Sequence, residues 1–487
     1  MASLASRRTF KESQESQESQ ESREPQHRIN FAPQRLDVAL KYPETSYISF
    51  GHSIWQTREP CNERSHFYFL GTDNDMQNEI RIKNAVEFLK KTSSVTYAYI
   101  HVAHQCLEFG HQCSGNIVDA LEKHPNLRYI VLSHQQMTEN QNGIRSFLAN
   151  IKVEILVITR YMFSHHETSE NALIEMLISN PKLKVLSLIE CQFSKAFMTK
   201  FANALRRNDS LMRLELFNSG IEYSSNEEPR QYRLEKAYGY AQILLAVATH
   251  PQLQIISIPG NTIYADYLTM FKLGSNHVLT SINLSNTGIP SAAISQMLES
   301  FNDSSSIVNL DLSKLSFTIQ TFKTLSRCIS TNKTIRQLSI RHLKFVHNDE
   351  DEQRISEDIA CDTDIKNEIM LAMSEFAAAL ETNTQLEVLC MDHHFGYIAQ
   401  WQQIKFRPLN LIIRSLEKNH SILRLSLDGS GIGPMEYDSF MYVLPKNNTS
   451  STNKRLRFLS IKKHLLSKNK LESLKTCTSN IGIKLEY

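Results

Sequence analysis

The chain has 487 residues, 41% of them hydrophobic and 21% charged, and a formal net charge of +2 at pH 7. That suffices for two or three globular domains or one long repeat array, and so small a net charge argues against nucleic acid or another strongly anionic partner. No run approaches roughly 18 consecutive apolar residues, the N-terminus lacks the apolar stretch of an export signal, and eight cysteines lie scattered, so a cytoplasmic protein with reduced thiols is expected, without a membrane span.

Residues 1–30 hold a tandem Ser-Gln-Glu tract over 11–24 with nothing apolar to bury, and a disordered tail is expected there. Residues 31–92 look globular but irregular, with strand-like 47–50 and 67–70 and a helical run over 76–91. A repeat stack must cover its first core, so this region reads as an N-terminal cap.

From residue 93 onward a period sets in. Aligned on L-x-x-L-x-L, copies start at Tyr97, Leu127, Val153, Leu183, Leu211, Leu253, Leu279, Ile307, Ile335, Leu386, Ile422 and Leu456, with a further apolar residue at position eleven in all but one, Gly396. Intervals of 26, 28 and 30 residues recur. The pattern resembles leucine-rich repeat proteins, and the unit length is similar to their ribonuclease-inhibitor-like subclass. The resemblance implies an α/β solenoid, with a parallel sheet on the concave side and helices on the convex side. Position nine, commonly Asn or Cys in that family, is Asn261 and Cys191 here but Gln105, Tyr161, Leu315 or His464 in other copies.

Three residues ahead of most strand starts stands an asparagine (Asn150, Asn180, Asn208, Asn276, Asn332, Asn383, Asn419, Asn453), with His124 and His250 in two copies. Asparagine tolerates left-handed backbone, so the column is expected to mark where each helix ends in that conformation. This also accounts for most of the sequons, such as Asn208-Asp-Ser and Asn332-Lys-Thr, as helix stops rather than glycosylation sites. Long intervals place insertions near 222–236 and, strongly acidic, at 346–368.

Positions three, five and seven of each strand should face the concave surface. In the early copies these are apolar or aromatic: Tyr99, Tyr129, Ile155 and Val185, with Val131, Val157, Ile189 and Phe217 beside them. Such a stripe suits a protein partner. Arg213 and Glu215 lead into later copies that turn polar with mixed sign, including Asp311, Arg336, Arg341, Asp392 and Asp428, a surface for a protein rather than a phosphate backbone. The acidic insert contrasts with a basic last copy (Lys454, Arg455, Arg457, Lys462, Lys463, Lys468, Lys470), which could touch a membrane surface.

The cluster His101, His104, Cys106, His111 and Cys113 has zinc-type donors without a standard ligand spacing, and no metal or other cofactor is expected. Phosphate-binding loops and nucleophile motifs are missing, so no catalytic set is expected. Cys361-Asp362-Thr363-Asp364 is similar to the Cys-x-Asp motif of bacterial ubiquitin ligases that carry leucine-rich repeats, but it sits in a short insert rather than a large helical domain. The leading expectation is a non-catalytic protein-binding module; the alternative is a ligase adaptor or an enzyme with its chemistry in 31–92 or the acidic insert. The irregular repeats and Asn/Lys/Ser/Ile-rich style resemble effectors that intracellular bacteria such as Legionella deliver into host cytoplasm. Leu284 falls on an inward position of its copy, so Leu284→Asp is expected to open the stack locally; an unchanged thermal unfolding curve would refute the register.

Overall fold

The computed structural model describes residues 66–70, 75–102, 120–121, 123–134, 147–165, 167–221, 229–261, 263, 267–301, 306–346, 363–393, 408–449 and 456–487. The chain divides into residues 1–63 and Arg64–Tyr487, and the architecture is that of the second unit.

One sheet holds 14 described strands in sequence order, from His66–Leu70 to Lys484–Glu486. Neighbours pair in parallel and in register on the repeat, so that Leu186 stands beside Leu214 and Ile282 beside Leu310. The sheet thus begins inside the stretch read as a cap, where the helix Asp75–Lys91 buries Ala85, Val86 and Leu89. Between successive strands a helix returns the chain, as in Lys195–Arg207, Ser291–Ser300 and Ile319–Thr331. This is an α/β leucine-rich-repeat solenoid.

The core follows from the period. Positions one, four and six point away from the concave face, and Leu279, Ile282 and Leu284 are all buried. Position eleven adds aromatic rings: Phe163 stacks on Phe193 at 5.3 Å between centroids, and Phe193 on Phe197 at 4.2 Å. In the helix Lys195–Arg207, Phe197, Phe201 and Leu205 recur every fourth residue and are buried, while Ser194 caps the start by accepting from the Phe197 N–H.

The asparagine column does not have the expected conformation. Asn208 (φ −83°, ψ 133°) and Asn332 (φ −71°, ψ 133°) are extended. Their importance lies in the side chain. The Asn208 Oδ1 accepts from the N–H groups of Ser210 (3.0 Å) and Leu211 (2.7 Å), while its Nδ2 donates to the Leu177 carbonyl of the preceding repeat at 2.6 Å. Asn276, Asn332, Asn383 and Asn419 repeat the same three contacts. Each amide therefore ends its own helix and ties it to the previous repeat. Asn208 and Asn332 are buried in this role, which leaves neither sequon open to a glycan.

Left-handed backbone occurs instead at position eight, just past each strand. Arg160, Glu190, Asn218, Gly260, Asn286, Lys314, His342, His393, Gly429 and Lys463 all have φ between 45° and 76°. The turn directs the position-eight N–H at the position-seven carbonyl of the next repeat, as in Glu190 to Phe217 (2.7 Å) and Lys314 to Arg341 (2.7 Å). Those bonds offset the steric cost of about 1–2 kcal/mol that a non-glycine residue meets there.

The first copy is also shifted. Tyr97 lies opposite Tyr129 and Ala98 opposite Ile130, so the copy starts at Val95, two residues earlier than Tyr97. Both phases satisfy the motif, and the small Ala98 hides the true one; Val95 and Ala98 are fully buried while Tyr97 is only half-buried. Of the two insertion regions, residues 222–228 and 347–362 lie outside the described residues, and the helices that follow, Pro229–Ala248 and Thr363–Thr382, reach 20 residues each.

Asn208→Ala would strand two buried N–H groups and a carbonyl, each worth about 1–3 kcal/mol, so denaturant unfolding should show a loss of roughly 3 kcal/mol or more. His250 stands in the same column, its Nδ1 accepting from the Gln252 and Leu253 N–H groups at 3.2 and 3.0 Å, and burial pulls its pKa down. With the folded pKa depressed, its contribution is complete above the unfolded value near 6.5 and is lost as the pH falls through the folded one. His250→Asn should therefore gain on the parent as the pH drops below about 6.5; a pH-independent difference in stability would contradict this.

Candidate functional site

Strand alternation gives the sheet one face toward the helices and one toward solvent, the concave side, lined by positions three, five and seven. At its N-terminal end this face carries Tyr97, Tyr129, Val131, Ile155, Val157, Val185 and Ile189, which form an apolar cluster separate from the main core. Its strands are long, five or six residues, because sequences such as YIVLSH and ILVIT are rich in the β-branched and aromatic residues that suit a pleated sheet. Tyr97 and Tyr129 meet edge to face at 4.5 Å between ring centroids. The expected open stripe is dry at its centre: Val131, Ile155 and Val157 are only 5, 3 and 3% exposed. Tyr129, Val185 and Ile189, with Phe217 one strand on, are half-buried and form the accessible margin. Tyr99 pairs with Val131 and so moves from position three to position five without changing face.

Arg213 and Glu215 follow on one strand and pair with each other, the Arg213 Nε donating to Glu215 at 3.0 Å. Two residues apart on a strand, they share a face. They close the apolar end with a charge pair that is satisfied locally.

Beyond them strands shorten to three residues, and in two copies position five shows why. The Asn283 Oδ1 accepts from the Ser285 N–H and the Asp311 Oδ1 from the Ser313 N–H, both at 3.0 Å. These side-chain turns draw the backbone out of the ladder early. Position seven then links repeats. Ser313 Oγ lies 2.8 Å from Ser339 Oγ and accepts from the Arg341 N–H at 3.1 Å. Asp392 accepts from Ser426 Oγ (2.5 Å) and the Asp428 N–H (3.0 Å), and Asp428 accepts from Ser460 Oγ (2.6 Å) and the Lys462 N–H (2.7 Å). Arg341 completes the series with an ion pair to Asp392 at 2.9 Å. Burial pushes the Asp311 and Asp392 carboxyls up against the downward pull of Arg341. Arg336 does not share this face: it precedes the strand Gln337–Ser339 at position two and pairs with Glu387, its counterpart in the next repeat, at 2.5 Å.

The loop after the strand links repeats in the same way in four copies, through position nine. Cys191 Sγ, Ser219 Oγ, Asn261 Nδ2 and Ser430 Oγ each donate to the position-six carbonyl of the preceding repeat, at 3.5, 2.8, 2.6 and 2.9 Å. Thr287, in the same position, instead donates to the Leu284 carbonyl of its own repeat, and Leu315 has no side-chain donor. Of the serines in these contacts, Ser339, Ser426 and Ser460 share position five of their copies, a recurrence that the many other serines of the sequence obscure.

Burial pushes the Cys191 and Cys328 thiols up to about 12 and Cys390 up to about 11, which suits inert packing residues rather than nucleophiles. Among the described residues no group of three or more His, Cys, Asp and Glu could hold a metal, and no helix is long and apolar enough to cross a membrane. Of the zinc-type cluster, His101 ends up on a strand, while His104, Cys106, His111 and Cys113 lie outside the described residues, as do Cys361 and Asp362.

No family model matches the chain, and a search of curated proteins finds no relative. Similar solved structures include leiomodin-1 actin-binding site 2, 17% identical with a TM-score of 0.25, covering 37% of this chain and 90% of that one. TLR13 in its complex with ssRNA13 is 12% identical with a TM-score of 0.29, and the match covers 82% of this chain but only 63% of that one. Neither likeness bears on a partner.

Asp392→Ala should cost about 3 kcal/mol in denaturant unfolding, since it leaves the mostly desolvated Arg341 without its counter-ion. Asp392→Asn keeps an acceptor for Ser426 and the Asp428 N–H, and is expected to lose less; equal losses would show that the ion pair, not the inter-repeat bridge, dominates.

Proposed function

We propose that this protein is a non-catalytic protein-binding module, of the ribonuclease-inhibitor-like type, that takes its partner on the N-terminal half of the concave face. The observation that carries the reading is the second apolar cluster, on the face opposite the core and edged by half-buried Tyr129, Val185, Ile189 and Phe217. An aromatic and aliphatic margin around a dry centre is what an interface anchor needs: large area, few rotamers and little to desolvate. Asp311, Arg341 and Asp392 would frame that surface rather than anchor it, because their polar groups are already engaged, Asp311 by the Ser313 N–H of its own turn and Arg341 and Asp392 across repeats.

The composition and repeat style that resemble delivered bacterial effectors make a host cytosolic protein the partner to seek first. The test is affinity purification from eukaryotic cytosol with the full chain and with Tyr129→Glu/Phe217→Glu, two marginal substitutions that leave buried Val157 in place. A partner held by the parent and lost by the folded double variant supports the concave interface. The same partner held equally by both refutes it.

A further inference from the structure

We propose that the last two repeats form a second docking surface, separate from the concave face, that seats the protein on an anionic membrane. Residues 456–487 contain seven Lys and Arg against two acidic residues, a net +5, whereas the rest of the chain sums to −3. The positive charge of this nearly neutral protein is therefore gathered at one end of the solenoid.

The same end exposes apolar groups. Among the described residues, four of the seven exposed large apolar side chains are Met435, Tyr442, Leu465 and Tyr487, so apolar and cationic groups concentrate together. Met435 and Tyr442 lie two turns apart on one face of the helix Pro434–Thr449. Leu465 is drawn beside them, its N–H donating to the Ile432 carbonyl at 2.8 Å, and Lys470 reaches the Pro434 carbonyl at 3.5 Å. Lysines lie over the tyrosine rings: Lys446 on Tyr442 at 3.6 Å, Lys470 on Tyr437 at 4.8 Å and Lys475 on Tyr487 at 4.0 Å. Exposed Lys463 and Lys468 flank Leu465 in sequence.

This combination fits a bilayer interface. Lysine heads meet lipid phosphates and carboxylates, tyrosines sit at headgroup depth with ring inward and hydroxyl outward, and Met435 and Leu465 enter the acyl boundary. A nucleic acid would use the cations and could stack on the tyrosines, but exposed aliphatic side chains gain nothing from it. Several of these lysines have acidic neighbours, such as Glu486 for Lys462 and Asp438 for Lys470, so the attraction should be moderate and sensitive to salt.

The test is flotation of the full chain with vesicles of phosphatidylcholine, with and without phosphatidylserine. The parent should float only with phosphatidylserine present and should be released by high salt. Lys463→Glu/Lys468→Glu and, separately, Met435→Ser/Leu465→Ser should each lower the bound fraction roughly tenfold. All four positions are exposed, and unchanged thermal unfolding would establish that the variants fold. Both variants should still hold the concave-face partner, which separates this surface from that one. Absence of flotation, or flotation of either variant like the parent, overturns the proposal. So does a single-stranded oligonucleotide whose binding needs the lysine pair but not Met435 and Leu465, which would make the basic pole a nucleic-acid surface.

Discussion

A repeat whose apolar side is buried only against its neighbours still has polar backbone to satisfy where helix turns back into strand. In this protein a single amide does it. Asn208, Asn276, Asn332, Asn383 and Asn419 each accept from two N–H groups of their own turn and donate to a carbonyl one repeat earlier. Only a short side chain carrying both an acceptor and a donor can make all three contacts. The leucine positions supply the apolar burial, but burial alone does not fix how far one repeat is rotated against the next. A directional contact at these five steps does, and it holds the strands in the register that the concave face requires.

At the other end of each strand, the left-handed residue at position eight plays the matching part by handing its N–H to the next repeat. Side-chain demand is loose there, since Arg, Glu, Asn, Lys, His and Gly all occupy it. The glycine at 429 has a specific reason: His342 and His393 stack at 4.1 Å, and a β-carbon at 429 would come within 2.5 Å of the His393 ring. The backbone bond is the constraint, and the side chain is free to vary as long as its neighbours leave room.

The period of the core and the parallel sheet were legible because burial imposes a strict spacing on Leu, Ile and Val. The asparagine column was equally visible, but its role was not: sequence shows where an asparagine recurs, and both a left-handed stop and a bridging amide predict recurrence. Position eight escaped notice because left-handed backbone here rests on a backbone bond that no residue type advertises. The start of the first copy was ambiguous between Val95 and Tyr97 for lack of volume at Ala98. Alternation assigns Tyr129, Val157 and Phe217 to one face but could not foresee that Val157 would be dry while Phe217 remained half-buried. That depends on how neighbouring strands pack, which no single strand encodes.

The two halves of the concave face also differ in what binding would cost them. In the C-terminal half, Asp392, Asp428, Ser426 and Ser460 already bond across repeats, and Arg341 is ion-paired with Asp392. A partner could use those groups only by displacing internal contacts or by accepting bonds already shared, so mixed charge there is a weaker lure than its composition implies. In the N-terminal half, burying the remaining surface of Tyr129, Val185, Ile189 and Phe217 would remove mainly apolar area from water. The polar contacts between repeats and the second apolar cluster are thus segregated along one sheet. The boundary falls at Arg213 and Glu215, where the charges pair with each other.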